Sequence, residues 1–146
     1  MKLVKEVTVQ IPNKPGALSN ILEMLGSNAI YVLGFSLNVS SSDHGDLSLI
    51  TSDPARTQNI FESSGFPTSV KDRLVATVPQ HPGGVNAILK PLKGAGVNLE
   101  NMYYLQGAYA VLKRSLLALA VDDNAKAYDA LVKDWIEVKG EEVLGY

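Results

Sequence analysis

The feature that most constrains this chain is that much of it is written twice. The segment KPGALSNILEMLGSNAI, from Lys14, returns as HPGGVNAILKPLKGAGV, from His81. Pro15 and Pro82 lie 82 − 15 = 67 positions apart, and at that shift Gly16 falls on Gly83, Leu18 on Val85, Ile21 on Ile88, Leu22 on Leu89, Leu25 on Leu92 and Ile30 on Val97. Self-similarity at one fixed spacing means that a single supersecondary unit is built twice. In both copies the apolar residues recur at i, i+3, i+4 and i+7, the spacing that lines one face of a helix, and in both the helix opens on Pro-Gly.

Around that helix each copy carries the same sequence of signals. An alternating strand precedes it, through Val7, Val9 and Ile11 in one copy and Leu74, Ala76 and Val78 in the other. IYVLGFSLNV and VNLENMYYL follow it. DLSLIT and SLLALAV come next, reached through the turn-rich SSSDHGD and QGAY connections. Asp53, ahead of Pro54, and Asp122 or Asp123 then cap a second helix. A last strand is expected around Pro67 to Val70 and around Glu142 to Leu144. The order β-α-β-β-α-β, twice, predicts an α+β chain of two tandem ferredoxin-like units, residues 1–71 and 72–146, each a four-stranded antiparallel sheet with two helices on one face. A unit of about seventy residues is near the lower limit for a self-sufficient core, and its sheet edges need cover, which the two copies can supply by pairing edge strands. Pro91, inside the second copy's first helix, is expected to kink it or end it early.

Composition narrows the function. With 13 Lys and Arg against 15 Asp and Glu, the chain has no basic excess to neutralise a run of phosphates, so nucleic acid is not an expected partner. The absence of Cys excludes disulfides, thiolate metal ligands and cysteine nucleophiles. Glu6, Thr8 and Gln10 interrupt any apolar leader, and no segment approaches the roughly 18 apolar residues of a membrane span, so no membrane partner and a cytoplasmic protein are expected.

The Pro-Gly turns admit two readings. Pro and Gly are ordinary at a helix start. Free backbone N–H groups there, at the positive end of the helix dipole, also suit a carboxylate or phosphate. Gly16, Gly83 and Gly84 leave the backbone open to close approach, and Asn13 and Gln80 stand in matching places. Gly94 and Gly96 follow a helix, which is ordinary termination and excludes a dinucleotide loop. His44 and His81 lack partners at metal-ligand spacing, so no metal and no cofactor is expected. The serines from Ser40 to Ser42 read as turn chemistry, with no activated nucleophile. Tyr103 and Tyr104 are assigned to core or pocket, and Trp135 to packing on the last helix.

The two segments resemble the ACT domain family, whose hallmark is an apolar strand, x-Pro-Gly-x-Leu, an amphipathic helix, and Gly-Ile-Asn-Ile opening the second strand. NKPGALSNILEMLGSNAI is similar to it once and HPGGVNAILKPLKGAGVNL again. The resemblance implies second strands lying edge to edge in an eight-stranded antiparallel sheet with helices on one face. It also implies an amino acid held between the Pro-Gly loop of one unit and the second-strand start of the other. By position, one site combines Asn13, Lys14, Pro15, Gly16, Ala17 and Leu18 with Asn98, Leu99 and Glu100. A second combines Gln80, His81, Gly83, Gly84 and Val85 with Tyr31, and departs from the motif at Gln80 and Tyr31. The implied protein is a tandem regulatory sensor for a small-molecule ligand, allosteric, homodimeric and without catalysis of its own, acting on a regulated enzyme partner. The alternative is a ligand-free dimerisation or interaction module of the same fold.

Overall fold

The computed structural model describes residues 1–106 and 114–145. The QGAY connection lies, from position 107 onward, outside the described residues. The chain divides into two compact units, Lys5–Lys71, and Asp72–Tyr146 together with Met1–Val4.

In the first unit the elements are β1 (Val4–Pro12), α1 (Ala17–Ser27), β2 (Val32–Val39), β3 (His44–Thr51), α2 (Pro54–Ser63) and the opening of β4 (Thr68–Thr77). β3 is central, antiparallel to β1 through pairs such as Val9 with Leu47 and to β2 through Leu37 with Leu47. The Gln10 N–H donates to the Pro67 carbonyl at 2.9 Å, bringing the approach to β4 beside β1. Strand alternation puts Val7, Val9, Ile11, Leu47 and Leu49 on one face. Ile21 and Leu25 of α1 and Phe61 of α2 close over them as one core.

The second unit repeats this plan. Beyond the rest of β4 come α3 (Gly84–Gly94), β5 (Leu99–Leu105), β6 (Leu116–Val121), α4 (Asn124–Lys133) and β7 (Val138–Lys139). β6 lies antiparallel between β4 and β5, and β7 takes the other edge of β4. Leu74, Ala76, Leu117 and Leu119 meet Ile88 and Leu92 of α3 and Leu131 of α4. In each unit both helices contribute to the core that the strands build, and the chain has the expected α+β content with antiparallel strands. In the later half of the copies the spacing widens to 123 − 53 = 70, from Asp53 to Asp123.

Three expectations need correction. The described residues contain seven strands where eight were expected, because β4 is one continuous element through Lys71 and Asp72 and serves as last strand of one copy and first of the next. The last strand is the two-residue β7, and Glu141–Leu144 is a 3-10 helix. There the Glu142 carboxylate accepts from the Gly140 N–H at 3.0 Å, a local bond that competes with ladder formation. Pro91 does not shorten α3, which spans the same 11 residues as α1. Buried Ile88 and Leu92 flank the proline, and their packing outweighs the one intrahelical bond it cannot make.

Helix ends follow one rule. Asp53 accepts from the Arg56 N–H at 3.1 Å, as the sequence predicts, and of the two candidates Asp122 and Asp123 it is Asp123 that caps α4, accepting from the Lys126 N–H at 3.0 Å. Among the described residues the four α-helices stop at a left-handed residue, Ala29, Gly65, Gly96 and Trp135 in turn. The next N–H then folds back five positions along the chain, as from Ile30 to Leu25 and from Ile136 to Leu131. Trp135 is therefore past α4 and 95% exposed, so the packing role expected for it is overturned. Its place is set by the turn, which points the indole away from the core.

Candidate functional site

The Pro-Gly turns have matched geometry. Gly16 and Gly83 take φ of +85° and +83°, a region L side chains rarely enter, and a Cβ on either would meet open space. Backbone conformation, then, accounts for these two glycines. Gly84 differs, since a Cβ there would sit 2.1 Å from the Pro79 carbonyl oxygen. Its close approach is to its own loop. The first copy places Ala17 at the corresponding position, so the two loops are not equivalent in shape. No side chain caps α1 or α3, whereas aspartates cap α2 and α4. The first N–H of each helix donates within its own loop, from Ala17 to the Lys14 carbonyl at 3.2 Å and from Gly84 to the His81 carbonyl at 2.9 Å, so only the later first-turn N–H groups are left to other acceptors.

In the first unit Asn13 is tied to the β2–β3 connection. Its backbone N–H donates to the Asp43 carbonyl at 3.0 Å, and its side-chain nitrogen lies 3.5 and 3.4 Å from the carbonyls of Ser41 and Ser42. Asn13, Lys14, Ala17 and Leu18 share a hollow of about 60 Å³ with Ile11, Leu37, Val39 and Gly45. That is room for roughly two waters. Pro15 and Gly16 are exposed at the tip of the turn. Leu37 and Val39 were missed by the sequence reading. Their alternation with Phe35 marks an apolar strand face, but only the fold shows that it overhangs the core edge, leaving Phe35 48% and Val39 57% exposed.

In the second unit Asn98 stands immediately before β5, exposed, with Val97 buried beneath and Leu99 packed against the core. Its N–H donates to Asp122 Oδ1 at 3.0 Å, and the Asp122 N–H returns to the Asn98 carbonyl at 3.2 Å. Tyr31 occupies the same place in the first unit, bonded in the same two ways to Ser52 at 2.9 Å each. The register of β5 slips between Leu99 and Asn101, leaving Glu100 exposed at a bulge. The matching slip in β2 lies between Val32 and Gly34. A bulge re-aims the following side chains, which puts Met102 and Tyr104 opposite core residues Leu119 and Leu117 at an edge where Tyr104 is 57% exposed. Tyr104 is therefore neither core nor enclosed pocket. At the second Pro-Gly turn Gln80, His81 and Gly83 are exposed and Val85 half-buried, with His81 Nδ1 2.8 Å from the Pro82 carbonyl.

Among the described residues, β2 pairs with β3 and β5 with β6, each through one edge. Among them too, no group of His, Asp and Glu is placed to hold a metal, and no helix is long and apolar enough to cross a membrane.

Solved structures show the same fold. A protein from Bacteroides thetaiotaomicron aligns over 98% of this chain and 96% of its own at 21% identity, with a TM-score of 0.85. The regulatory subunit of aspartate kinase from Thermus thermophilus aligns over 92% and 94% at 11% identity, with a TM-score of 0.62. That from Thermus flavus aligns over 92% and 97% at 12% identity, with a TM-score of 0.54. No match was found among curated protein sequences. The family model described as an ACT domain pair matches residues 2–145, and with its two Pro-Gly units the chain belongs to the ACT domain pair family.

Proposed function

We propose that this protein is a regulatory sensor of a small amino acid, without catalysis of its own, acting in the cytoplasm as a homodimer on an enzyme partner. ACT domains are regulatory ligand-binding modules. The observation that carries the amino-acid reading is the pair of Pro-Gly turns, whose helix N-termini lack the side-chain caps present on the other two helices. Such an N-terminus suits a carboxylate.

The preferred site takes Asn13, Lys14, Pro15, Gly16, Ala17 and Leu18 from one loop and Asn98, Leu99 and Glu100 from the start of β5. The hollow beside Asn13 is too small alone for an amino acid, so a second wall is needed. Pairing of a β2 edge with a β5 edge supplies it. Backbone N–H groups then take the ligand carboxylate while an asparagine carbonyl or Glu100 takes the ammonium, so both charges of the zwitterion are met. The loop of Gln80, His81, Gly83, Gly84 and Val85, facing Tyr31, is a second and chemically different site. Regulation follows if the ligand binds two states of the assembly unequally. An enzyme is proposed as the partner because regulatory subunits of aspartate kinase share the fold.

A thermal-shift panel over the standard amino acids tests this. A ligand at 100 times its Kd stabilises the fold by about 2.7 kcal/mol. Asn98→Ala and Asn13→Ala should both abolish the shift. An unchanged affinity in Asn98→Ala places the site elsewhere.

The exposed apolar edge of Phe35, Leu37 and Val39 favours a second reading, a dimerisation module with no ligand. It predicts no shift with any amino acid and loss of the dimer in Leu37→Lys.

A further inference from the structure

The second unit holds a large aromatic side chain where the backbone resists one. Trp135 has φ of +61° and is 95% exposed, whereas the corresponding residue of the first unit, 135 − 65 = 70 positions earlier, is Gly65 at φ +82°. The left-handed conformation crowds any Cβ against the following carbonyl, and glycine alone escapes that cost. Trp135 recovers nothing by burial within its own unit. A residue kept against both backbone and solvent preference is what stability yields to interaction, and tryptophan is enriched among the residues that anchor interfaces.

Beside it lies an open groove of about 560 Å³ between α3 and α4. Its wall ends at Asp134, the residue before Trp135. Pro91, Ala95 and Ala130 give it apolar lining, and Lys90, Lys126 and Lys133 line it together with Asp129 and Asp134. Both signs of charge on one patch make that patch complementary to a copy of itself. The first unit's groove between α1 and α2, lined by residues such as Asn20, Glu23 and Met24, has neither the aromatic nor the lysines.

We propose that two chains pair through the α3/α4 face of their second units, each seating Trp135 in the other's groove. Aromatic and groove are neighbours on one surface, so mutual insertion about a two-fold axis closes the assembly. A widely separated pair would instead propagate into an open chain. Val132, 47% exposed one turn before Trp135, extends the apolar contact.

Trp135 is the only tryptophan in the chain, so its emission reports on this contact directly. The full chain is followed over a concentration series by sedimentation, emission wavelength and acrylamide quenching. The expected result is a twofold mass step accompanied by a blue shift and by protection from quenching. Trp135→Gly should lose the mass step while remaining folded by circular dichroism. Ala130→Arg, which fills the groove, should keep Trp135 emission at its dilute value throughout. Emission that ignores concentration, a mass step that survives in Trp135→Gly, or protection seen only when a different protein is added would each overturn the proposal.

Discussion

Asn98 and Asp122 hold each other twice, through Asn98 N–H to the side-chain Asp122 Oδ1 at 3.0 Å and Asp122 N–H to the Asn98 carbonyl at 3.2 Å. The first bond fixes the start of β5 without using the Asn98 side chain, which stays available to a ligand. Asp122→Ala removes that acceptor and should cost about 1 kcal/mol in urea unfolding. Asp122→Ser should restore most of it, since Ser52 Oγ serves Tyr31 in this way in the first unit. If an amino acid binds, Asp122→Ala should also weaken its affinity, read by calorimetry.

Helix ends offer a stabilising change. Ala29 and Trp135 hold the left-handed position that Gly65 and Gly96 hold elsewhere. Ala29→Gly and Trp135→Gly should each stabilise by about 1 kcal/mol, raising Tm by about 3 °C. Differential scanning calorimetry of dilute protein checks this, and a fall in Tm for Ala29→Gly would refute the strain argument.

Glycines at α1 and α3 should respond in opposite directions. Gly84→Ala drives a methyl into the Pro79 carbonyl and should destabilise by more than about 2 kcal/mol. Gly26→Ala lies within α1 with open space around it and should stabilise by about 0.5–1 kcal/mol. Chemical denaturation of the two variants separates the effects.

In the first unit the buried hydroxyls of Thr51 and Thr57 lie 2.8 Å apart, and Thr57 Oγ1 donates to the Asp53 carbonyl at 2.9 Å. The second unit has Val121 and Ala127 in these places, both buried. Thr57→Ala alone strands the Thr51 hydroxyl and should cost about 1–3 kcal/mol. Adding Thr51→Val should return most of it. A double-mutant cycle without coupling would show that the pair acts independently.

Acid should weaken the second unit. The hydrogen bond from Lys139, with the charges of Lys139 and Arg114, lowers the pKa of Glu137, and the Gly140 N–H lowers that of Glu142. Both carboxyls release their protons more readily in the folded chain, so their contribution is complete above about pH 4.5, the ordinary value, and is lost as pH falls through the folded values. Their exposure limits it to a fraction of a kcal/mol. Glu137→Gln should lower stability by that fraction near neutrality and match the parent protein in acid, so that the profile is flatter through about pH 4.5.

Much of the fold was legible because its signals are local. Apolar spacing gave α1 and α3 matching 11-residue spans at a shift of 67, and Asp53 and the pair Asp122 and Asp123 announced the starts of α2 and α4. The loop half of the candidate site was legible for the same reason, since Asn13, Gly16 and Ala17 are set by one turn. Glu142 to Leu144 misled because an apolar pair with flanking polar residues fits either a strand or a 3-10 turn. In the structure the 3-10 turn carries a bond from the Gly140 N–H to the Glu142 carboxylate, which no local pattern announces. Trp135 misled because an aromatic near a helix is usually packed, and its orientation depends on one left-handed dihedral.

The sequence by itself determined the repeat, the order of elements, the capped helices and the family, because periodicity, capping and turn chemistry act over a few residues. Only the tertiary structure decided that one strand, β4, serves both copies, that Glu100 falls on a bulge, and that Phe35, Leu37 and Val39 overhang an edge. Those outcomes depend on which backbone edges pair and on how far helices cover a sheet. Both are set by contacts between residues distant in the chain, which local patterns do not encode.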